Sequence, residues 1–244
     1  MTETSGVDGY RPSDYPPFAV TVDIVVFTIR DDRLQLVLIQ RSAPPFKHAW
    51  ALPGGFVKHA EDLETAARRE LQEETGVQAG PSHLAQFQTY GNPDRDPRMR
   101  VVSVAWWAII PNLAQPVAGS DAAHADLIDV EDVITERVTL AFDHRQIVID
   151  GLEALRSELE NSTLASTFWD GEFRIRDLRR VYEVVWGVDL EPGNFQRKVR
   201  KIPGWLRATG RRSTSSEGGR PAEFFRSESP SPQRLNSPFR REQE

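Results

Sequence analysis

Residues 18–29 read Phe-Ala-Val-Thr-Val-Asp-Ile-Val-Val-Phe-Thr-Ile, apolar or β-branched at nearly every position. A run of this kind suits a strand buried on both faces. Residues 34–40 follow across Asp31-Asp32-Arg33, and together the two runs predict a hairpin. Residues 62–75 read as a helix, stopped by Gly76, whose type readily takes the left-handed conformation that ends helices. The strand pattern returns over 84–90 and 100–110, parted by the turn-rich Gly91-Asn92-Pro93-Asp94. Strands interleaved with a helix predict an α/β fold, a sandwich around a mixed sheet. Residues 115–125 then read as a small-residue loop, and 144–159 as an amphipathic helix with Ile147, Leu152, Leu155 and Leu159 near one face.

Farther on, Ile175, Leu178, Val181, Tyr182 and Val185 recur at helical spacing, so 174–186 is a helix that Gly187 stops. Pro192 opens another, being favoured in a first turn. In that second helix Phe195, Val199 and Ile202 fall within about 60° of one another at 100° per residue. Its opposite face presents Gln196, Arg197, Arg200 and Lys201, with Asn194 near the N-terminal edge. Such a helix is shaped for a groove in DNA. Residues 206–208 and 223–225 read as strands flanking a Gly/Ser/Arg-rich segment with Arg211, Arg212 and Arg220. Helix, turn, basic helix and basic wing is the order of a winged helix-turn-helix. The expected division is a polar segment 1–17, a domain over 18–160, a second over 161–226, and a disordered Ser/Pro/Arg/Glu-rich tail over 227–244.

The net charge of −6 hides two halves. Residues 1–171 carry a net charge of −12, whereas 172–244 hold 16 Lys and Arg against 10 Asp and Glu, a net of +6. That asymmetry points to a polyanionic partner for the basic half. No apolar leader is read at the N-terminus, the longest apolar run falls far short of a membrane span, and cysteine is absent. A cytoplasmic protein with no membrane partner is expected, without disulfides or thiolate metal sites.

The sharpest chemical signal is Gly55-x5-Glu61-x7-Arg69-Glu70-Leu71-x-Glu73-Glu74-x-Gly76-Val77. Glu70, Glu73 and Glu74 sit at i, i+3 and i+4 and share one strip of a helix. Like charges so placed repel, and a hard divalent cation with carboxylate ligands offsets them. Gly54 and Gly55, at the end of Trp50-Ala51-Leu52-Pro53-Gly54-Gly55, let a backbone approach a phosphate closely.

These residues resemble the Nudix superfamily at every defined position of its box. The resemblance implies helices on both sides of a mixed sheet and Mg²⁺ or Mn²⁺ held by Glu70, Glu73 and Glu74 against a nucleoside-linked diphosphate. Glu70 and Glu74 would serve chiefly as metal ligands and Glu73 as ligand or base, with Arg69 orienting the carboxylates. One more acid is expected after the last strand, with Asp121, Asp129 and Glu131 as candidates that the sequence leaves open.

Followed by Phe173-Arg174-Ile175-Arg176-Asp177-Leu178-Arg179-Arg180-Val181-Tyr182-Glu183, Asn194-Phe195-Gln196-Arg197-Lys198-Val199 and Gly218-Gly219-Arg220-Pro221-Ala222, the box resembles one family closely. It is that of the Nudix-related transcriptional regulators of NAD metabolism. The resemblance spans residues 18–226. It implies a homodimeric repressor of NAD-biosynthesis or salvage genes, binding a palindromic duplex operator through Arg176, Arg179, Asn194, Arg197, Arg200, Lys201, Arg211, Arg212 and Arg220. The Nudix pocket would sense ADP-ribose or a related dinucleotide, whose binding releases the operator. The alternative is an ADP-ribose pyrophosphatase, since the box is intact.

Overall fold

The structure, a computed structural model, describes residues 14–76, 83–116, 122–213 and 221–241. The first strand, β1 (Ala19–Arg30), turns through Asp31 and Asp32 into β2 (Arg33–Arg41). Both turn residues have positive φ, 49° and 60°. That is the two-residue geometry whose twist matches antiparallel strands, and the register closes on Arg30 opposite Arg33. Short strands β3 (Trp50–Ala51) and β4 (Gly54–Phe56) lead into α1 (Leu63–Thr75). Asp62 caps α1 by accepting from Thr65 N at 2.8 Å, and Gly76 ends it at φ 66°.

Strands β5 (His83–Tyr90), β6 (Val101–Ile109) and β7 (Ala122–Asp129) complete a seven-stranded sheet among the described residues. Its central path runs β3-β2-β1-β6-β5, with β4 paired to β1 and β7 to β2. The β1–β6 pair is parallel and the others antiparallel, so the sheet is mixed.

The largely apolar run of β1 now has its cause. Val22, Ile24 and Val26 pack with Ala66, Ala67 and Leu71 of α1. Val25 and Phe27 face the opposite way, into a core with Ile147, Val148 and Leu152. Those belong to α3 (His144–Asn161), reached through the short α2 (Val130–Ile134). The sheet is therefore sandwiched by helices, which gives the α/β fold class expected.

Beyond α3, a 3₁₀ turn (Leu164–Phe168) leads to α4 (Ile175–Trp186), α5 (Pro192–Arg200) and the strand pair β8 (Leu206–Arg212) and β9 (Glu223–Ser227). This is a winged helix. Helix α4 opens with Asp177 accepting from Arg174 N at 2.8 Å and closes at Gly187, φ 73°. In α5, Glu191 accepts from Gly193 N and Asn194 N. Phe173 joins the wing as a third partner through two backbone bonds with Phe225.

Two expectations are corrected. Residues 122–125 are not loop but the start of β7, drawn into the sheet where Ala125 pairs with Ile39 and Ile128 with Leu36. Alanines seldom announce a strand, and here the free edge of β2 decides. The tail is not disordered over its described part. Leu235 N and Phe239 N donate to Asn161 O and Glu160 O at 2.8 Å each, and Phe239 is 5% exposed. One buried aromatic, with the backbone bonds around it, orders a segment whose composition is otherwise that of a disordered one. Among the described residues no helix is long and apolar enough to cross a membrane.

Candidate functional sites

At one end of the sheet a cleft of about 390 Å³ opens between β1, β4, the segment before β6 and the start of α3. That size lies in the usual range for small-molecule sites. Its floor and walls include Asp23, Gly54, Gly55, Glu74, Arg95 and His144, and its mouth Arg41, Phe56, Arg98 and Phe142. Gly54 donates its N–H to Glu74 Oε2 at 2.8 Å. Neither glycine tolerates a side chain as placed: a Cβ on Gly54 would meet Val22 O at 2.2 Å, and one on Gly55 would meet Glu70 Oε1 at 2.5 Å.

Arg69 is the hub of the acidic strip on α1. It bonds Glu61 at 2.5 Å, Glu70 at 2.6 Å and Glu73 at 3.0 Å. This guanidinium, with Lys58 N–H, pulls the Glu61 carboxyl down to about 2. Burial pushes the Glu70 carboxyl up, against the pull of Arg69. Arg69 thus sits in charge-assisted bonds with Glu61, Glu70 and Glu73, while Glu74 accepts from Gly54 N.

The three glutamates share the strip, yet of them only Glu74 lines the cleft. Among the described residues no three acidic or histidine side chains converge as ion ligands do. The chemistry of the donor set nevertheless fits a hard divalent cation. It offers carboxylate oxygens on one helix face, with a glycine cradle against Glu70 that a Cβ would fill.

Asp129 is tied to Arg33 at 2.7 Å and Gln35 at 2.8 Å and does not line the cleft, nor does Glu131. Asp121 lies outside the described residues. Besides Glu74, two acids overlooked in the sequence line the cleft: Asp96, which Arg98 holds at 2.7 Å, and the more central Asp23. It is 6% exposed and accepts from Ser103 Oγ, with Arg95 at 3.3 Å and His144 Nε2 at 3.5 Å. Arg95 also forks onto Asp143 at 2.7 and 2.9 Å. His144 accepts Leu52 N–H at Nδ1, 2.9 Å, and burial pushes its pKa down, so it is held neutral. The signal for Asp23 was available: a lone carboxylate amid an apolar strand must be paired inside.

The basic half forms a second cleft, about 520 Å³, between α4, α5 and the wing. Arg174, Arg176, Arg179, Gln196, Arg200 and Arg212 line it. Arg176 is exposed, as is Arg197, which donates to Asn194 Oδ1. Lys201 is exposed at the end of α5. Arg200 lies over the Phe225 ring at 5.2 Å and pairs with Glu223 at 3.1 Å. Arg211 stacks on Phe224 at 4.1 Å beside Glu172. Arg179 is engaged by Leu190 O at 3.0 Å and by Glu183 at 3.5 Å, and so braces α4 against the turn. Arg220 lies outside the described residues.

A Nudix-type sandwich that carries the acidic strip and continues into a cationic winged helix defines a two-module class of protein. Residues 18–150 match the NUDIX domain, and residues 168–227 match the NrtR DNA-binding winged helix domain. The chain is 33% identical, over 89% of its length and 85% of the relative's, to an ADPR-responsive transcriptional repressor of Acinetobacter baylyi. It is similar in structure to Shewanella oneidensis NrtR complexed with a 27mer DNA (TM-score 0.76, 32% identity, 91% of this chain and 99% of that one). The NUDIX domain of the same Shewanella protein, complexed with ADP ribose, matches with a TM-score of 0.56 and 34% identity, over 64% of this chain and 99% of that one. The chain belongs to the NrtR family, Nudix domains joined to a winged-helix DNA-binding domain.

Proposed function

We propose that the chain is a transcriptional repressor of NAD-biosynthesis or salvage genes, and that its Nudix cleft senses ADP-ribose or a closely related nucleoside diphosphate. The observation that carries this reading is the packing of both modules on one shared core. Val25 and Phe27 of the sheet, Leu155 and Leu159 of α3, and Val181, Tyr182 and Phe195 of the winged helix belong to a single buried cluster. A ligand cleft and a cationic helix face thus stand at two places on one packed body. The Shewanella structures with DNA and with ADP ribose support the two ligand classes.

In this reading Arg176, Arg197, Arg200 and Lys201 meet the duplex from α4 and α5, and Arg211, Arg212 and Arg220 from the wing. Phosphate contacts position the module, and base contacts from α5 specify. A homodimer would match a palindromic operator, since two-fold symmetry of protein and site go together. The compartment is the cytoplasm, where such a regulator finds its DNA. Arg95, Arg41 and Arg98 offer cationic groups to the diphosphate. Glu70, Glu73 and Glu74 would hold Mg²⁺ or Mn²⁺, which supplies charge neutralisation at the bridging oxygens.

The test is a promoter duplex titrated by fluorescence anisotropy. Affinity should fall with salt, about 0.9 log units per tenfold salt for each phosphate contact. Added ADP-ribose should weaken binding by at least about tenfold, within the range of allosteric couplings. A chain that prefers no promoter fragment to random DNA ends the proposal.

A second reading, hydrolysis of ADP-ribose, is favoured by the intact Glu70, Glu73 and Glu74. AMP release should then depend on Mg²⁺ and drop in Glu73→Gln and Glu74→Gln. Equal release by all three proteins would remove catalysis.

A further inference from the structure

The segment past β9 is used by neither site above and lies beyond residues 168–227, which match the winged helix domain. It is nevertheless built into the fold at several points. Glu228 N donates to Trp205 O at 2.9 Å. Gln233 and Thr163 exchange two bonds of 2.8 and 2.9 Å, and Arg234 pairs antiparallel with Ser162. Leu235 N and Phe239 N then satisfy the last carbonyls of α3. Arg241 ends the run on Glu153 at 2.6 Å and Glu160 at 3.8 Å, both on the outer side of α3.

Between these anchors Phe239 enters the core. Its ring lies 4.8 Å from Tyr182 of α4, 5.5 Å from Phe195 of α5 and 6.2 Å from Trp205. Lys198 of α5 turns away from the DNA-facing cations. It donates to Pro238 O and covers the Phe239 ring at 4.4 Å. The recognition helix is thus held from behind by a strap that is also fixed to α3, to the turn after it and, through Glu228 N, to Trp205 O.

We infer that residues 228–241 form a positioning strap, with Phe239 as its wedge, that sets the placement of α5 against the Nudix module and so sets base readout. The inference rests on the DNA-binding reading above. The residues the Phe239 ring meets, Tyr182, Phe195, Trp205 and Lys198, are not DNA-facing in that reading. Phe239 acts through Phe195 and Lys198, so it is a positioning residue. The Phe239 ring is tilted against Tyr182 and Phe195 and edge-to-face on Trp205, packing that fixes ring orientation as well as burial. A helix displaced in the groove loses its bidentate base contacts before its phosphate contacts.

The experiment uses a duplex that the wild-type chain enriches from a randomised pool, with a scrambled duplex of equal length as control. For wild type, Phe239→Ala, Phe239→Leu and Arg241→Ala, the ratio of the two affinities is measured by anisotropy and ADP-ribose binding by calorimetry. Phe239→Ala should lose about tenfold or more in the ratio, the discrimination of one bidentate contact, with ADP-ribose binding unchanged. Phe239→Leu should recover most of it, and Arg241→Ala should lower the ratio by a few-fold. A ratio within about twofold of wild type in Phe239→Ala overturns the strap. If that variant does not fold, Arg241→Ala decides: an unchanged ratio overturns the strap, and a lowered one supports it. A wild-type chain that enriches no duplex at all overturns the DNA-binding reading instead, which keeps the two failures distinct.

Discussion

Gly54 and Gly55 meet different obstacles, and the difference predicts different phenotypes. An alanine at 54 strikes the backbone carbonyl of Val22, which β1 holds fixed, whereas one at 55 strikes only the end of the Glu70 side chain. Gly54→Ala should therefore lower the melting temperature, with overpacking costing about 1–3 kcal/mol. Gly55→Ala should keep the fold, swing Glu70 aside and weaken ADP-ribose binding in the presence of Mg²⁺. Thermal melts and calorimetry separate the two, and equal destabilisation by both would contradict the assignment. His144 gives a pH signature. Its folded pKa lies below the ordinary value because of burial, and His83 is shifted the same way. The unfolded chain then takes up protons that the folded chain refuses. Stability is full above about pH 6.5 and falls as pH drops through the histidine range. His144→Gln, which keeps an acceptor for Leu52 N, should flatten that fall in melts between about pH 7.5 and 5.5.

Among elements, the recognition helix and the wing divide the work. Arg197→Ala should remove about 1–3 kcal/mol of discrimination between operator and random duplex. Arg211→Ala, on a wing strand, should weaken both duplexes alike and reduce the salt slope by about one contact. A normal preference in Arg197→Ala would place the reading face elsewhere on α5. The elements legible in the sequence were those with a local signature. Helix α1 announced itself by Asp62 and Gly76, α5 by Pro192 and its two faces, and β1 by an apolar run that only a two-sided core requires. Strand β7 and the strap were not legible, because their order comes from partners far along the chain. Ala125 needs the edge of β2, and Phe239 needs the ring cluster of Tyr182 and Phe195. The acidic strip was readable from spacing alone. That Arg69 gathers Glu61, Glu70 and Glu73 took the geometry to see, as did the Asp23–Arg95–His144 group.

For the molecule as a whole, the shared cluster predicts one calorimetric unfolding transition in place of two. Leu155→Ala, at 0% exposure in that cluster, should cost about 2–5 kcal/mol. Asp32→Ala removes the exposed 2.8 Å ion pair with Arg180 that also links the modules, and should cost less than about 1 kcal/mol. Two separate transitions, or the reverse ranking of the variants, would show that the modules are merely tethered. The same packing bears on how a signal could cross the protein. Leu164, Ala165 and Phe168, between α3 and α4, are buried, and Asp170 and Gly171 are the exposed residues of the join, so it offers little slack chain. That leaves little room for the winged module to swing like a gate. A message from the cleft has to travel as a slight re-seating of interlocked side chains, which favours discrete alternative arrangements over a graded drift.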